Sequence, residues 1–181
     1  MVGKYLLFFL ADIVFGYMLQ AMGCAICLFT VTNQSLNTRK FWITTAIFAA
    51  IAIGIRMSYN LKLIDFGFHT IIIWTLFIVV ALGYNKLPAM RSICSILLGG
   101  VIISATEVLT AGAMILVYGD ETFTQMMNNT KTLEGMTIKS VCGVPANILF
   151  VLAVLMLYFV KKGIQKRAEP AKEAPAEISN T

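Results

Sequence analysis

Four ionisable side chains lie inside or at the edges of long apolar stretches of this sequence: Asp12, Arg56, His69 and Glu107. Charged groups are costly in an apolar environment, so they usually pair with one another, bind a polar ligand or carry protons. These four groups are suited to hold a small charged ligand or a peptide. They are equally suited to salt bridges and hydrogen bonds that only join helices. Asn147, in the last apolar stretch, would extend either arrangement, and both interpretations stay open at this point.

Motifs for catalysis or metal binding do not occur in the sequence. His69 is the one histidine, and the motifs of zinc proteases, serine hydrolases and nucleotide-binding P-loops are missing. Cys24 and Cys27 are spaced as C-x-x-C, but they lie in an apolar stretch with no second ligand pair nearby, so we expect buried free thiols. The sequence therefore predicts a protein that is not an enzyme and that has no cofactor and no metal site.

The composition predicts that lipid surrounds most of the chain. Hydrophobic residues make up 59% of the 181 positions and charged residues 13%. A soluble domain of this length could not bury so much apolar surface in one core. The net charge of +5 comes from basic residues that flank the apolar stretches or follow the last one. That distribution argues against nucleic-acid binding and indicates membrane lipids as partners.

Five apolar stretches organise the chain, and short polar segments separate most of them. They run over about Tyr5–Val31, Phe41–Met57, Phe66–Gly83, Pro88–Tyr118 and Ile138–Val160. The expected fold is an all-α polytopic transmembrane helix bundle of about five spans, formed by residues 1–162. A disordered cytoplasmic tail, residues 163–181, is expected to follow, because it holds too few apolar residues to fold. The fourth stretch exceeds one bilayer thickness, so a break near Glu107 would raise the number of spans to six.

The distribution of basic residues predicts the orientation in the cell membrane. With five spans, the N-terminus and the loops at 58–65 and 119–137 share one side, which holds five of the 14 Lys and Arg residues. The other nine lie on the opposite side, which is therefore expected to be cytoplasmic. The N-terminus is then outside and the C-terminus inside. At a rise of ~1.5 Å per residue, the four ionisable groups all fall in the outer half of the bilayer.

Small and polar residues recur at helical spacing in three of the stretches. The sets are Asp12, Gly16, Gln20, Gly23 and Cys27; Gly100, Ser104, Glu107 and Ala111; and Ala46, Ala50 and Gly54. Small residues let membrane helices approach closely, so these three faces are expected to point into the bundle. Asp12 and Glu107 are therefore expected to face protein rather than lipid.

Several features between Gly54 and Phe159 occur together in one class of membrane receptor. Arg56 ends one apolar stretch, Phe66-Gly67-Phe68-His69-Thr70 opens the next, Glu107 lies late in the following one, and Gly143-Val144-Pro145 opens the last. In these features the chain resembles the membrane-embedded N-terminal domain of clostridial-type GHKL sensor histidine kinases, which are related to quorum-receptor kinases. The resemblance implies a module for signal transduction, with Arg56, His69 and Glu107 at the matched positions. The coiled coil, phospho-accepting histidine and ATP-binding lid of that family do not follow in this sequence, so a module without a kinase is expected.

The expected function is that of a non-enzymatic sensor or regulatory module that binds an external small ligand or peptide at the polar cluster. Its partner would be a second copy of the chain or a separate signalling protein. The alternative is a small-solute transport component, such as the substrate-binding subunit of a vitamin transporter, which has a similar size. Transport would require a closed solute pocket and a cytoplasmic docking face of small residues.

Overall fold

The computed structural model describes residues 2–60, 68–128 and 132–168, which form helices joined by short turns, with no strand among them. The elements are α1 (Val2–Phe9), a π-helical segment (Leu10–Met18), α2 (Leu19–Val31), α3 (Arg39–Asn60), α4 (Phe68–Gly83), α5 (Ala89–Tyr118), α6 (Asp120–Asn128) and α7 (Leu133–Ala168). The predicted all-α fold is confirmed.

Three of the described helices are long and apolar enough to cross a membrane. The first span, Tyr5–Val31, has 27 residues and joins α1, the π-helical segment and α2. The second, Ala89–Tyr118, has 30 residues, and the last span, Leu133–Gln165, has 33. About 20 residues suffice to cross a hydrocarbon core, so each exceeds the length of one crossing. Helices of this length and hydropathy indicate a membrane protein.

The ends of two helices differ from the predicted boundaries. The fourth apolar stretch is one uninterrupted helix, α5, so the break considered near Glu107 does not occur. The last helix, α7, continues through Ala168, so residues 163–168 of the predicted tail are helical. The rest of that tail, residues 169–181, lies outside the described residues. Pro145 lies inside α7, where its ring removes one backbone donor, a feature that membrane helices tolerate.

The helices α3 and α4 form an antiparallel pair with contacts along its whole length. The contacts are Lys40 with Asn85, in the turn just after α4 (Nζ to the backbone oxygen, 2.8 Å), Phe48 with Phe77 (ring centroids 3.9 Å apart) and Arg56 with His69 (Nη1 to Nε2, 3.4 Å). Residue numbers rise along α3 while those of the partners fall along α4, and this order defines the antiparallel packing.

The first and last spans run in the same direction. Near their starts, Ser140 Oγ donates a hydrogen bond of 3.0 Å to Asp12 Oδ1. Near their ends, Lys161 Nζ donates one of 2.6 Å to the backbone oxygen of Thr30. The chain between these spans must therefore traverse the bundle an odd number of times, as α3, α4 and α5 do. We call the end where both spans start the amino end, and the opposite end the carboxyl end.

The centre of the bundle is an aromatic core in which Phe29, Phe48 and Phe150 are fully buried. Phe150 of α7 packs directly on Gly23 of α2, and a Cβ atom at Gly23 would overlap its ring. This close approach lets α2 and α7 pack along one another. The small-residue face predicted for the first stretch therefore points into the bundle at its centre.

The small-residue face predicted for α3 points the other way. Ala46, Ala50 and Gly54 are exposed, and no atom would lie within 4 Å of a Cβ added at Gly54. The bulkier Phe41 and Phe48 are buried instead. Two aromatic rings fill more of the space against α2 and α4 than three small residues can, and α3 is oriented accordingly.

We expect Gly23→Ala to destabilise the protein by about 1–3 kcal/mol, because the added methyl group would overlap the fully buried ring of Phe150. Thermal unfolding in detergent is the measurement. Gly54→Ala is the matched control, and we expect it to leave the midpoint unchanged or slightly raised, because its site is open and Ala favours helix. Equal effects of the two substitutions would contradict this packing.

Candidate functional site: two adjoining cavities at the amino end

The π-helical segment brings Asp12 and Tyr17 onto the same side of the first span. In an α-helix, residue i+5 lies roughly 140° around the axis from residue i. A π-helix closes i→i+5 hydrogen bonds and thus brings these positions closer together. The Tyr17 hydroxyl donates a hydrogen bond of 3.4 Å to Asp12 Oδ1. Segments of this kind occur frequently at functional sites, and here the segment places Asp12 and Tyr17 side by side at the candidate site.

Polar contacts connect Asp12 to three other helices of the bundle. Ser140 of α7 donates to the same carboxylate oxygen of Asp12 as Tyr17 does. The guanidinium carbon of Arg56, in α3, lies 5.9 Å from the centre of the Tyr17 ring, a distance suited to a cation–π contact. Arg56 in turn contacts His69 of α4. The chain of contacts shares the cost of keeping a carboxylate and a guanidinium inside the bundle.

His69 is buried, with 8% of its surface exposed. Its Nε2 atom lies 3.4 Å from Arg56 Nη1 and 3.2 Å from Thr70 Oγ1. A guanidinium can only donate, so Nε2 acts as the acceptor. This arrangement requires the neutral imidazole with its proton on Nδ1. His69 thus directs the Arg56 guanidinium and adds no second positive charge to the site.

The first cavity has a volume of about 260 Å³ and lies between the first span, α3, α4 and α5. Arg56, His69 and Glu107 form its polar wall, and Trp74 and Phe77 its apolar one. A Cβ atom at Gly100 would overlap the Trp74 indole, so this glycine makes room for the side chain. Ser104 and Glu107, on the same predicted small-residue face of α5, are exposed, so that face points into the bundle only in part.

The second cavity, of about 430 Å³, lies between the first span, α5, α6 and α7. Asp12, Lys139 and Asn147 contribute polar groups to it. Asn147 Nδ2 donates a hydrogen bond of 3.1 Å to the backbone oxygen of Phe15, and this bond joins α7 to the π-helical segment. Apolar side chains from α5 and α6 complete the wall: Met114, Phe123 and Met127.

Four polar residues line both cavities and form the boundary between them: Tyr17, Gln20, Arg56 and Glu107. Glu107 is exposed at this boundary. The five residues predicted from the sequence are thus all brought together at the amino end. His69 lies in the first cavity and Asp12 and Asn147 in the second, while Arg56 and Glu107 belong to both. Their role in ligand binding stays a prediction.

Several residues of the cavity walls were not predicted, and the reasons differ. Tyr17 is five residues from Asp12, a spacing that an α-helical projection places on another face. Ser140 is uncharged, but it shares a face with Gly143 and Asn147 at steps of three and four. Its helical spacing therefore marks Ser140 in the same way as the residues of the first span. Trp74 gave no such signal, since its position depends on the packing of α4 against Gly100.

Metal ligands are not clustered in the part of the chain that the structure describes. No group of three or more His, Cys, Asp or Glu side chains there could hold an ion. Cys24 and Cys27 are free thiols, and Cys27 Sγ donates to the backbone oxygen of Ser95 at 3.3 Å. This contact packs α2 against α5.

Comparisons of the chain with protein families, with curated proteins and with solved structures found no match.

We expect Tyr17→Phe to lower the free energy of unfolding by about 1 kcal/mol, because it removes a hydrogen bond to a carboxylate held inside the bundle. Tyr5→Phe is the control, since Tyr5 is 60% exposed near the same end. A double-mutant cycle with Asp12→Asn isolates the interaction. If the effects of Tyr17→Phe and Asp12→Asn are additive, the two side chains do not interact as described.

Proposed function

We propose that this chain is a non-enzymatic membrane sensor or regulatory module whose two adjoining cavities bind a small charged ligand or a short peptide from outside the cell. The observation that carries the proposal is the polar boundary of Tyr17, Gln20, Arg56 and Glu107 shared by both cavities. Cavities of about 260 and 430 Å³ fall near the range of small-molecule sites, which is roughly 300–1,000 Å³.

The charges on the cavity walls favour a ligand that carries both signs. Arg56 and Lys139 offer positive groups, and Asp12 and Glu107 offer negative ones. A zwitterion, such as a free amino acid or a short peptide with both termini, could pair with each sign. Trp74 would provide an apolar contact for a side chain of that ligand.

The aromatic core below the cavities favours binding over transport. Phe77 forms part of the first cavity and stacks on Phe48, which is fully buried. Phe150 fills the space next to Gly23 at the same level of the bundle. A ligand in the cavities therefore meets packed rings on the way to the carboxyl end. This supports a receptor over a transport component.

A ligand at this position would act on α7, the helix that leads to the carboxyl end. Lys139, Ser140 and Asn147 contact the second cavity or the groups that line it. The same helix continues without interruption to Ala168. Binding that shifts the first turns of α7 would move its last turns, where a signalling partner or a second copy of the chain could respond.

The proposed topology has five crossings, with the N-terminus outside and the C-terminus in the cytoplasm. The 22 residues of α3 extend over ~33 Å, enough for one crossing. The antiparallel packing of α3 and α4 and the parallel first and last spans are consistent with it. The excess of basic residues on the carboxyl side supports this orientation, as does the resemblance to kinase membrane domains.

The ligand prediction is tested by purifying the protein in native lipids and identifying co-purified small molecules by mass spectrometry. We expect the wild type to retain a zwitterionic molecule that Arg56→Gln and Glu107→Gln lose, because each variant removes one charge from the shared boundary. Adding the identified molecule should raise the unfolding midpoint of the wild type. Glu121→Gln, which removes an exposed carboxylate from α6, is the control and should behave like the wild type.

Two outcomes would contradict the proposal. If the wild type and both cavity variants retain the same molecules, the cavities do not bind them. Counterflow of the molecule across proteoliposomes that contain only this chain would show transport in place of sensing.

The topology is tested with a membrane-impermeant maleimide on intact cells, using single cysteines in a cysteine-free background. We expect Asn128→Cys to react from outside, and Asn37→Cys to react only after permeabilisation, because these exposed residues lie at opposite ends of the bundle. The reverse pattern would mean the opposite orientation, and labelling of both residues in intact cells would exclude the five crossings.

A further inference from the structure

A third cavity, of about 260 Å³, lies at the carboxyl end of the bundle, where the first and last spans finish. Its wall combines two lysines with side-chain amides and hydroxyls, and no carboxylate is among the residues that line it. The lining residues include Thr30, Asn33, Tyr158, Lys161, Lys162 and Gln165. A cationic cavity rich in hydrogen-bond donors is suited to an anion.

Thr30 brings a buried hydroxyl without a partner to this cavity. It is 3% exposed, and its Oγ1 atom makes no hydrogen bond. Elsewhere in the bundle, the hydroxyls of Thr44, Thr110 and Thr137 each donate to the backbone oxygen four residues earlier. Leaving a buried hydroxyl unpaired is destabilising, because the group loses its hydrogen bonds to water. Thr30 departs from this pattern, and it lines the cavity with a hydroxyl that has no protein partner.

Lys161 supplies a positive charge that the fold itself holds in place. Its Nζ donates to the backbone oxygens of Thr30 at 2.6 Å and Val31 at 3.2 Å, which are the last carbonyls of α2. These bonds supply donors to carbonyl oxygens that have no partner within the helix, and the ammonium charge offsets the negative end of the helix dipole. An ammonium group has three donors, so one remains for a ligand.

Two further contacts fix the shape of the cavity. Lys162 Nζ lies 5.8 Å from the centre of the Tyr158 ring, which positions the second positive charge. Gln165 Nε2 donates a hydrogen bond of 3.0 Å to Asn33 Oδ1 and joins α7 to the turn after α2. The donors are thus held at set positions before any ligand arrives.

The depth of the cavity identifies the source of the anion. The first span ends at Val31 and the last at Gln165, so the cavity lies where apolar helix surface gives way to polar residues. Lipid headgroups occupy this level of a bilayer. We propose that the third cavity binds the phosphate of an anionic phospholipid headgroup, with the Thr30 hydroxyl and the ammonium groups of Lys161 and Lys162 as donors.

The test is a titration of the full, detergent-solubilised chain with dioctanoyl-phosphatidylglycerol, followed by thermal unfolding and by native mass spectrometry of the retained lipid. We expect a saturable rise of the unfolding midpoint. Dioctanoyl-phosphatidylcholine and inorganic phosphate at the same concentrations should give little or no rise. Lys162→Gln and Thr30→Val should each weaken phosphatidylglycerol binding on the order of tenfold, because each loses one donor to a charged group.

Two controls separate this site from general surface charge and from misfolding. Arg39→Gln removes an exposed positive charge at the same end, outside the cavity, and should bind phosphatidylglycerol like the wild type. Thr30→Val should be at least as stable as the wild type without lipid, because it removes an unpartnered hydroxyl. Equal weakening by Arg39→Gln, an equal response to phosphatidylcholine or inorganic phosphate, or unchanged binding by both cavity variants would overturn the proposal.

Discussion

The packing of the first span on the last is the contact on which the rest of the structure depends. Gly23 admits the Phe150 ring at the centre, and a hydrogen bond from α7 to the first span lies near each end. In an apolar solvent, close packing and hydrogen bonds between helices replace much of the driving force that water provides elsewhere. The α3–α4 pair and α5 then pack around these two spans, and the cavities are the spaces that remain at the two ends.

Most polar groups lie at the two ends of the bundle, beside the cavities, and not at its packed centre. The centre of the bundle is aromatic, whereas the amino end holds charges of both signs and the carboxyl end holds lysines. Several polar groups at the two ends are positioned by another group: Tyr17 by Asp12, Arg56 by His69, and Lys161 by the end of α2. Positioning of this kind holds polar groups at set places inside the bundle.

Hydropathy was sufficient to predict the helical class, because only helices satisfy their own backbone within one apolar segment. Helical spacing correctly predicted that Gly23 faces into the bundle. The same prediction was wrong for Ala46, Ala50 and Gly54, because burial of the larger Phe41 and Phe48 decides the orientation of α3. Among the cavity residues, Asp12, Arg56 and Glu107 were predicted because a charge is conspicuous in an apolar stretch, whereas Lys139, at the edge of the last stretch, was missed. Tyr17 and Trp74 were missed, since their positions depend on a π-helical turn and on the packing between helices.

The π-helical segment also separates two parts of one span that would otherwise rotate together. A π-helical turn behaves as an α-helical turn with a residue inserted, and each inserted residue changes the rotation of what precedes it by about 100°. Residues Val2–Phe9 and Asp12 can thus change register while α2 keeps its place on Phe150. A single insertion or deletion within Leu10–Met18 would present different side chains to the cavities and leave the core intact. The residues that line the cavities can therefore change at this point of the chain while α2 keeps its packing on α7.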